Sequence, residues 1–166
     1  VLPALPAKDL RDVARAITLL ESFPDQHRPE LRKRSAVLET APPVLGITGT
    51  GGAGKSSLID ELLRRFTIDF AELRIAVLCV DPTRRKTGGA LLGDRIRMNT
   101  ASNERIFVRS MATRRANVAL SESVQDALDV LKLSGFDLIL LESSGIGQSD
   151  TEIIEHLVNG LVHHRR

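Results

Sequence analysis

Residues 49–56 read Gly49-Thr50-Gly51-Gly52-Ala53-Gly54-Lys55-Ser56 and match the pattern G-x-x-x-x-G-K-[ST]. The preceding residues 43–48 are apolar enough to form a buried strand. The following residues carry apolar side chains at helical spacing, namely Leu58, Leu62, Leu63 and Phe66. A strand, a glycine-rich loop and a helix in this order are the context in which the pattern forms a phosphate-binding loop.

The residue types in this loop suit an anionic ligand. Glycine lets the backbone approach a phosphate closely, because a Cβ atom would clash or forbid the required dihedral angles. The N–H groups of the loop and the positive end of the following helix then face the anion. We expect Lys55 to reach the β- and γ-phosphates of a nucleotide and the Ser56 hydroxyl to ligate magnesium.

Composition narrows the range of functions. A length of 166 residues, 42% hydrophobic and 27% charged, is typical of one globular domain. A net charge of +2 argues for neither nucleic acid nor membrane as a partner, and an aromatic content of 3% disfavours base stacking. The single cysteine, Cys79, lies in an apolar run, which predicts a core residue in a reducing cytoplasm. Because the first residue is Val rather than Met, we expect a longer parent protein.

The chain divides into two segments by its pattern. An amphipathic helix is predicted from Asp9 to Ser22, and a second, charged helix from Leu31 to Leu38. We interpret residues 1–42 as a helical linker or docking segment and residues 43–166 as the nucleotide-binding domain.

Three further apolar runs predict strands. They cover residues 74–80, 106–110 and 136–141, and a helix predicted between the last two ends at Ser134-Gly135. Strands that alternate with helices predict an α/β fold with a mainly parallel sheet, here a three-layer P-loop NTPase preceded by the N-terminal helices. Asp81 follows the first of these strands, where open α/β sheets place their ligands.

Two segments complete the predicted site. Residues 83–98 form a long basic loop in the position of a switch segment, although a flexible surface loop with incidental charges remains an alternative. The last predicted strand is followed by Glu142-Ser143-Ser144-Gly145. In phosphate-loop GTPases an acid at this place supports magnesium, and the glycine N–H meets the γ-phosphate.

Four stretches together resemble the G-protein chaperones of cobalamin-dependent acyl-CoA mutases, and most of all the type fused to isobutyryl-CoA mutase. They are residues 46–57, Asp81-Pro82, residues 88–98 and residues 142–148. The stand-alone methylmalonyl-CoA mutase-associated GTPases are the second choice, because they usually carry two prolines where this chain has Thr50-Gly51-Gly52.

The resemblance implies a GTPase that gates and protects the loading of adenosylcobalamin into an acyl-CoA mutase, with a dimer as the expected state of the parent protein. The implied nucleotide contacts are Gly51, Gly52, Ala53, Gly54, Lys55, Ser56, Ser57, Arg97 and Gly145. The implied magnesium site comprises Ser56, Val80 through its backbone, Asp81, Asp94, Glu142 and Ser143. The resemblance implies catalytic roles for Lys55 and Glu142, and the assignments of Asp94 and Arg97 rest mainly on it.

The chain departs from the family in its last part. The guanine-reading Asn-Lys-x-Asp signature is absent, and residues 155–160 replace an expected apolar strand, so we expect a C-terminally truncated domain. The chain also lacks a cobalamin-binding Asp-x-His-x-x-Gly pattern, so isomerase activity would lie elsewhere in the parent protein.

Two other functions fit the same motifs. A phosphate-loop kinase for a small metabolite would need an acceptor site with a base and a lid of arginines. The sequence shows no separate acceptor site, although the basic loop of residues 84–97 could imitate such a lid. Arg84, Arg85 and Arg97 are the candidates for an arginine finger. A nucleotide-sensing module without turnover is the non-catalytic alternative.

Overall fold

The computed structural model describes residues 1–6, 9–50, 52–81, 103–112 and 118–143. Within these residues, two helices come first, α1 (Leu10–Ser22) and α2 (Pro24–Ser35). Strand β1 (Val44–Ile47) and helix α3 (Lys55–Asp69) follow, and then strands β2 (Ile75–Asp81) and β3 (Ile106–Ala112). Helix α4 (Val118–Leu133) leads to strand β4 (Leu138–Ser143).

The four described strands form one sheet in the order β1-β4-β2-β3, and each neighbouring pair is parallel. The last of these strands in the sequence, β4, therefore lies between β1 and β2. Because parallel strands end at the same edge of a sheet, the carboxyl ends of β1, β2 and β4 meet at one edge. The predicted α/β fold with a parallel sheet is confirmed.

Alternation along β2 sends side chains to two different cores. Ala76, Leu78 and Val80 belong to a core that also contains buried residues of α1, α2 and α4. Ile75 and Val77 belong to a second core on the other face, where they pack with Ile59 and Leu63 of α3. The sheet thus lies between two helical layers, as a three-layer sandwich requires.

Helix α1 packs its apolar stripe into the core on one face of the sheet. The side chains of Val13, Ala16, Ile17 and Leu20 are buried and share the core formed by the sheet and α4. Asp9 caps this helix by accepting a hydrogen bond from the Arg11 N–H group at 2.8 Å. The assignment of residues 1–42 as a separate linker or docking segment stays a prediction.

Two ion pairs join the N-terminal helices to the rest of the fold. Arg28 on α2 contacts both carboxylate oxygens of Asp126 on α4, with Nη2 2.8 Å from Oδ2 and Nε 3.1 Å from Oδ1. This hydrogen bonding raises the pKa of the Arg28 guanidinium above its ordinary value. Arg109 on β3 reaches Glu21 on α1 at 2.5 Å.

The second helix differs from the sequence prediction. It spans Pro24–Ser35 rather than residues 31–38, with Pro24 at its first turn. Proline favours that position, because the first N–H groups of a helix have no partner within the helix and the fixed φ angle of proline suits its start. The sequence Phe23-Pro24-Asp25 thus ends α1 and also begins α2. Among the described residues, no helix is long and apolar enough to cross a membrane.

Candidate functional site

The glycine-rich loop leads from β1 into α3 as predicted. Gly52 and Gly54 have φ angles of 78° and 82°, in the left-handed region that side chains disfavour. Gly54 occupies the position before α3, which begins at Lys55 and has no acidic residue in its first turn. The positive end of the α3 dipole is therefore not offset by a carboxylate of its own first turn, which suits an anion.

Lys55 turns back over the loop that precedes it. Its Nζ atom donates hydrogen bonds to the carbonyl oxygens of Gly49 at 2.7 Å and Thr50 at 2.9 Å. A further bond from the Ala53 N–H group to the Thr50 carbonyl, 3.2 Å long, closes a turn within the loop. The ammonium group thus lies at the loop, where a bound phosphate would compete with two carbonyl oxygens for it.

Ser56 and Glu142 connect α3 to the end of β4. The Ser56 hydroxyl donates a hydrogen bond to Glu142 Oε1 at 2.9 Å. Glu142 is buried, with 8% of its surface exposed, although it is a carboxylate. It is the register partner of Ile47 on β1 and of Cys79 on β2, which places it at the carboxyl edge between these two strands.

The second oxygen of this carboxylate also has a partner. The Cys79 Sγ atom lies 3.4 Å from Glu142 Oε2, within the range of a thiol hydrogen bond. Cys79 is only partly buried and packs against the core beneath α3. The sequence predicted Cys79 as a core residue. No sequence motif indicates its additional contact with Glu142, the predicted metal ligand.

The neighbouring serine faces the other side of the sheet. Ser143 is buried, and its hydroxyl lies 3.1 Å from the hydroxyl of Thr48, the residue that follows β1. This contact ties the start of the glycine-rich loop to the end of β4. Thr48 was not predicted as a site residue, because a threonine at the end of a strand carries no sequence signal of its own.

The remaining predicted metal contacts are divided between described and undescribed residues. Val80 is buried, and its side chain belongs to the core shared with α1 and α4, so only its backbone could face a metal. Asp81 is the last residue of β2, on the strand next to β4, and its side chain lies outside what the structure describes.

Several predicted residues fall outside the described part of the chain altogether. They are Gly51, Arg84, Arg85, Asp94, Arg97 and Gly145. Ala53, Ser56 and Ser57 are described and exposed at the loop and the first turn of α3. Their roles as nucleotide contacts stay predictions.

The described atoms test whether magnesium would fit here. A serine hydroxyl that donates its proton to a carboxylate keeps its oxygen lone pairs for another ligand, and hydroxyl and carboxylate oxygens are the donors that Mg²⁺ prefers. The Ser56–Glu142 pair therefore fits a magnesium site. Within the described residues, no three His, Cys, Asp or Glu side chains cluster as a complete protein cage. Magnesium commonly completes its shell with water and substrate phosphates, so the donor set is compatible with it.

The helix that carries Lys55 and Ser56 is braced on its surface. Glu61 accepts hydrogen bonds from Arg64 at 2.9 Å and from Arg65 at 2.7 Å, one helical turn further on. These hydrogen bonds lower the pKa of Glu61 to about 2.

Comparison with known proteins agrees with this geometry. Residues 13–163 match the family described as methylmalonyl-CoA mutase-associated GTPase MeaB. The chain is 50% identical over 161 residues to a fused isobutyryl-CoA mutase of Geobacillus kaustophilus, a match that covers 93% of the chain and 15% of that protein. It is 42% identical to a putative GTPase of Pyrococcus abyssi, covering 89% of the chain and 45% of that protein.

A solved structure supports the fold. The crystal structure of an LAO/AO transport system kinase superposes with a TM-score of 0.63 at 25% sequence identity, over 86% of this chain and 41% of that one. The chain therefore spans less than half the length of each of these relatives. The family match extends over the glycine-rich loop, Ser56 and Glu142, which are the residues that the fold brings together. The chain belongs to the family of methylmalonyl-CoA mutase-associated GTPases.

Proposed function

We propose that this chain binds GTP with magnesium at the loop between β1 and α3 and hydrolyses it to GDP and phosphate. The observation that carries the proposal is the 2.9 Å hydrogen bond between Ser56, in the first turn of α3 after that loop, and the buried Glu142. It brings together the two predicted magnesium ligands from residues 86 positions apart in the sequence. Family membership supports guanine as the base.

Each described residue has a distinct role in this proposal. Lys55 exchanges its bonds to the Gly49 and Thr50 carbonyl oxygens for bonds to the β- and γ-phosphates, whose negative charge it neutralises. Ser56 and Glu142 would hold the magnesium ion with their hydroxyl and carboxylate oxygens, Glu142 either directly or through a water molecule. Magnesium bound there would supply positive charge that offsets the negative charge developing on the phosphates during hydrolysis. Asp81, Asp94 and Arg97 complete the proposed site.

We further propose that GTP turnover controls the loading of adenosylcobalamin into an acyl-CoA mutase. The fused isobutyryl-CoA mutases among the relatives support a partner of this kind in the same polypeptide. A partner mutase as a separate chain, as in the stand-alone members of the family, is the second possibility. We also propose that the parent protein is a dimer and that it acts in the cytoplasm.

Nucleotide titrations test the first proposal. Fluorescent N-methylanthraniloyl derivatives of GTP and ATP are titrated with magnesium into the parent protein that contains this chain, because the guanine-reading signature is not among these 166 residues. Phosphate release from both nucleotides is measured without any acceptor. We expect tighter binding of the GTP derivative and release of phosphate from GTP. Preference for ATP, together with phosphate transfer only to an added metabolite, would favour the kinase alternative. The structural similarity to an LAO/AO transport system kinase is the observation that supports this alternative.

A matched pair of lysine variants identifies the site. Lys55→Ala removes the charged hydrogen bonds to phosphate, but wild-type Lys55 gives up its bonds to the Gly49 and Thr50 carbonyl oxygens on binding. Taking the net loss as one charged hydrogen bond, roughly 1.5–3 kcal/mol, we expect affinity for GTP to fall by about 10- to 100-fold. Lys33→Ala removes the same charge from an exposed position on α2 and should bind GTP like the wild type. Equal binding by both variants would place the nucleotide elsewhere.

The mutase proposal needs the parent protein. In the full-length fused protein, Lys55→Ala should retain isomerase activity with preloaded adenosylcobalamin but lose the GTP dependence of cofactor loading. Loading that responds to GTP equally in wild type and variant would refute the proposal. GTP binding without turnover, even in the presence of the mutase, would instead indicate a nucleotide-sensing module.

A further inference from the structure

Cys79 and Glu142 form a pair across two neighbouring strands. They are register partners on β2 and β4, so their side chains leave the sheet on the same face, toward α3. The Sγ atom lies 3.4 Å from Glu142 Oε2, while Ser56 occupies the other oxygen at 2.9 Å. The carboxylate is therefore held from two directions by groups on two different elements.

The strand pattern explains why Cys79 is the one described side chain of β2 that reaches the carboxylate. Leu78 and Val80, the neighbours of Cys79, point into the core on the opposite face. Val77 shares the face of Cys79, but its register partner is Leu140, two residues before Glu142 on β4. Among the described side chains of β2, Cys79 is thus the one that lies beside Glu142.

Without such a contact, a glutamate carboxylate can rotate about its last side-chain bond at little energetic cost. The terminal torsion of a glutamate side chain has a broad energy well, so hydrogen bonds and packing determine the plane of its two oxygens. A thiol is a weak donor, but Glu142 is buried, where a hydrogen bond is screened less by water than at the surface. Groups behind a metal ligand commonly set its orientation and the affinity of the site.

We propose that Cys79 is a positioning residue of the magnesium site: its thiol holds the Glu142 carboxylate in the orientation that directs Oε1 to Ser56. The inference rests on the proposed binding of magnesium and nucleotide. It assigns Cys79 no contact with metal or nucleotide and no covalent chemistry. The thiol acts through Glu142 by a hydrogen bond that a serine hydroxyl could also donate.

The contact itself is measured without any nucleotide. Because the chain contains one cysteine, its S–H stretching vibration gives a single infrared band in a region free of other protein bands. Glu142→Gln replaces a charged acceptor by a weaker one, so the band should move to higher frequency. Glu61→Gln makes the same change on α3, where Glu61 pairs with Arg64 and Arg65, and should leave the band in place. An S–H band that is identical in all three proteins would overturn the contact.

The consequence for the site is measured with Cys79→Ala and Cys79→Ser. The readout is the magnesium concentration that half-saturates binding of N-methylanthraniloyl-GDP. We expect Cys79→Ala to need about tenfold more magnesium, at the low end of the 10- to 100-fold effects of such supporting groups because a thiol is a weak donor. Cys79→Ser keeps a donor and should restore the wild-type magnesium dependence.

A matched variant separates positioning from loss of packing. Val77→Ala creates a gap in the same strand and on the same face, where Val77 is fully buried, without touching Glu142. It should lower the melting temperature and leave the magnesium dependence unchanged. If Cys79→Ala behaves like the wild type, or if Cys79→Ser fails to rescue it, the positioning role is refuted. A wild-type chain without magnesium-dependent nucleotide binding would refute the proposed function instead.

Discussion

The Ser56 hydroxyl and the Glu142 carboxylate meet at 2.9 Å, joining the first turn of α3 to the end of β4. If this pair holds magnesium, Ser56→Ala and Glu142→Gln should each weaken magnesium-dependent binding of GDP by about 10- to 100-fold. Because both variants break one contact, the double variant should lose less than the sum of the two free energies. Fluorescence titration with magnesium checks this expectation.

The same titration in EDTA provides the control for these variants. Without magnesium, wild type, Ser56→Ala and Glu142→Gln should bind GDP with similar affinity, because the remaining contacts come from the loop and Lys55. Glu72→Gln, an exposed change outside the site, should match the wild type in both conditions. A loss of binding that is as large in EDTA as in magnesium would show that the pair supports the loop rather than the metal.

The left-handed backbone at Gly54 predicts a specific order of stabilities. A Cβ atom at Gly54 would have no atom within 4 Å, so a substitution there meets no steric obstacle and its cost comes from the φ angle of 82°. Gly54→Ala should lower the free energy of unfolding by about 1–2 kcal/mol, and Gly54→Asn by less, since Asn tolerates this region. Urea unfolding measures both, and equal destabilisation by Ala and Asn would contradict the explanation.

The Arg28–Asp126 ion pair should contribute to the docking of α2. Both side chains are largely buried, at 17% and 10% exposure, and the contact involves both carboxylate oxygens. A double-mutant cycle with Arg28→Ala and Asp126→Ala should give a coupling free energy of about 1–3 kcal/mol, between the values of exposed and fully buried pairs. The cycle Arg11 with Asp9, an exposed pair, should give a smaller coupling. Equal couplings would show that burial adds nothing here.

The hydrogen bonds of Glu61 predict a pH dependence of stability. Since Arg64 and Arg65 lower its pKa from 4.5 in the unfolded chain to about 2, the folded state favours the ionised carboxylate. This contribution is fully present above pH 4.5 and is lost as the pH falls toward 2. The stability difference between wild type and Glu61→Gln should therefore shrink over this interval. It should also shrink in high salt, because salt screens surface pairs. A difference that is independent of pH would contradict the ionic origin.

Much of the fold could be predicted from the sequence because its local signals agree with its tertiary contacts. The strands predicted at residues 74–80 and 136–141 are found at Ile75–Asp81 and Leu138–Ser143. Both are continuous apolar runs, which is how a strand covered on both faces reads. The predicted end of a helix at Ser134-Gly135 is also confirmed, since α4 ends at Leu133.

The rest depended on contacts that a linear pattern does not contain. Lys55, Ser56 and Glu142 could be identified from motifs, but the partner of the second Glu142 oxygen could not, because it follows from the register of β2 against β4. The position of α1 on the sheet could not be predicted either, because it also depends on tertiary contacts. Its apolar stripe predicts that it packs somewhere, and only the fold determines where.

The strand order has a consequence for the synthesis of the protein. Strand β4 separates β1 from β2, although both are made long before it. While a growing chain has emerged only as far as α4, the glycine-rich loop has no Glu142 opposite Ser56, and β1 has no neighbour among the described strands. The pair proposed to hold magnesium can therefore form only after β4 has been made, when insertion of this strand between β1 and β2 joins the described strands into one sheet.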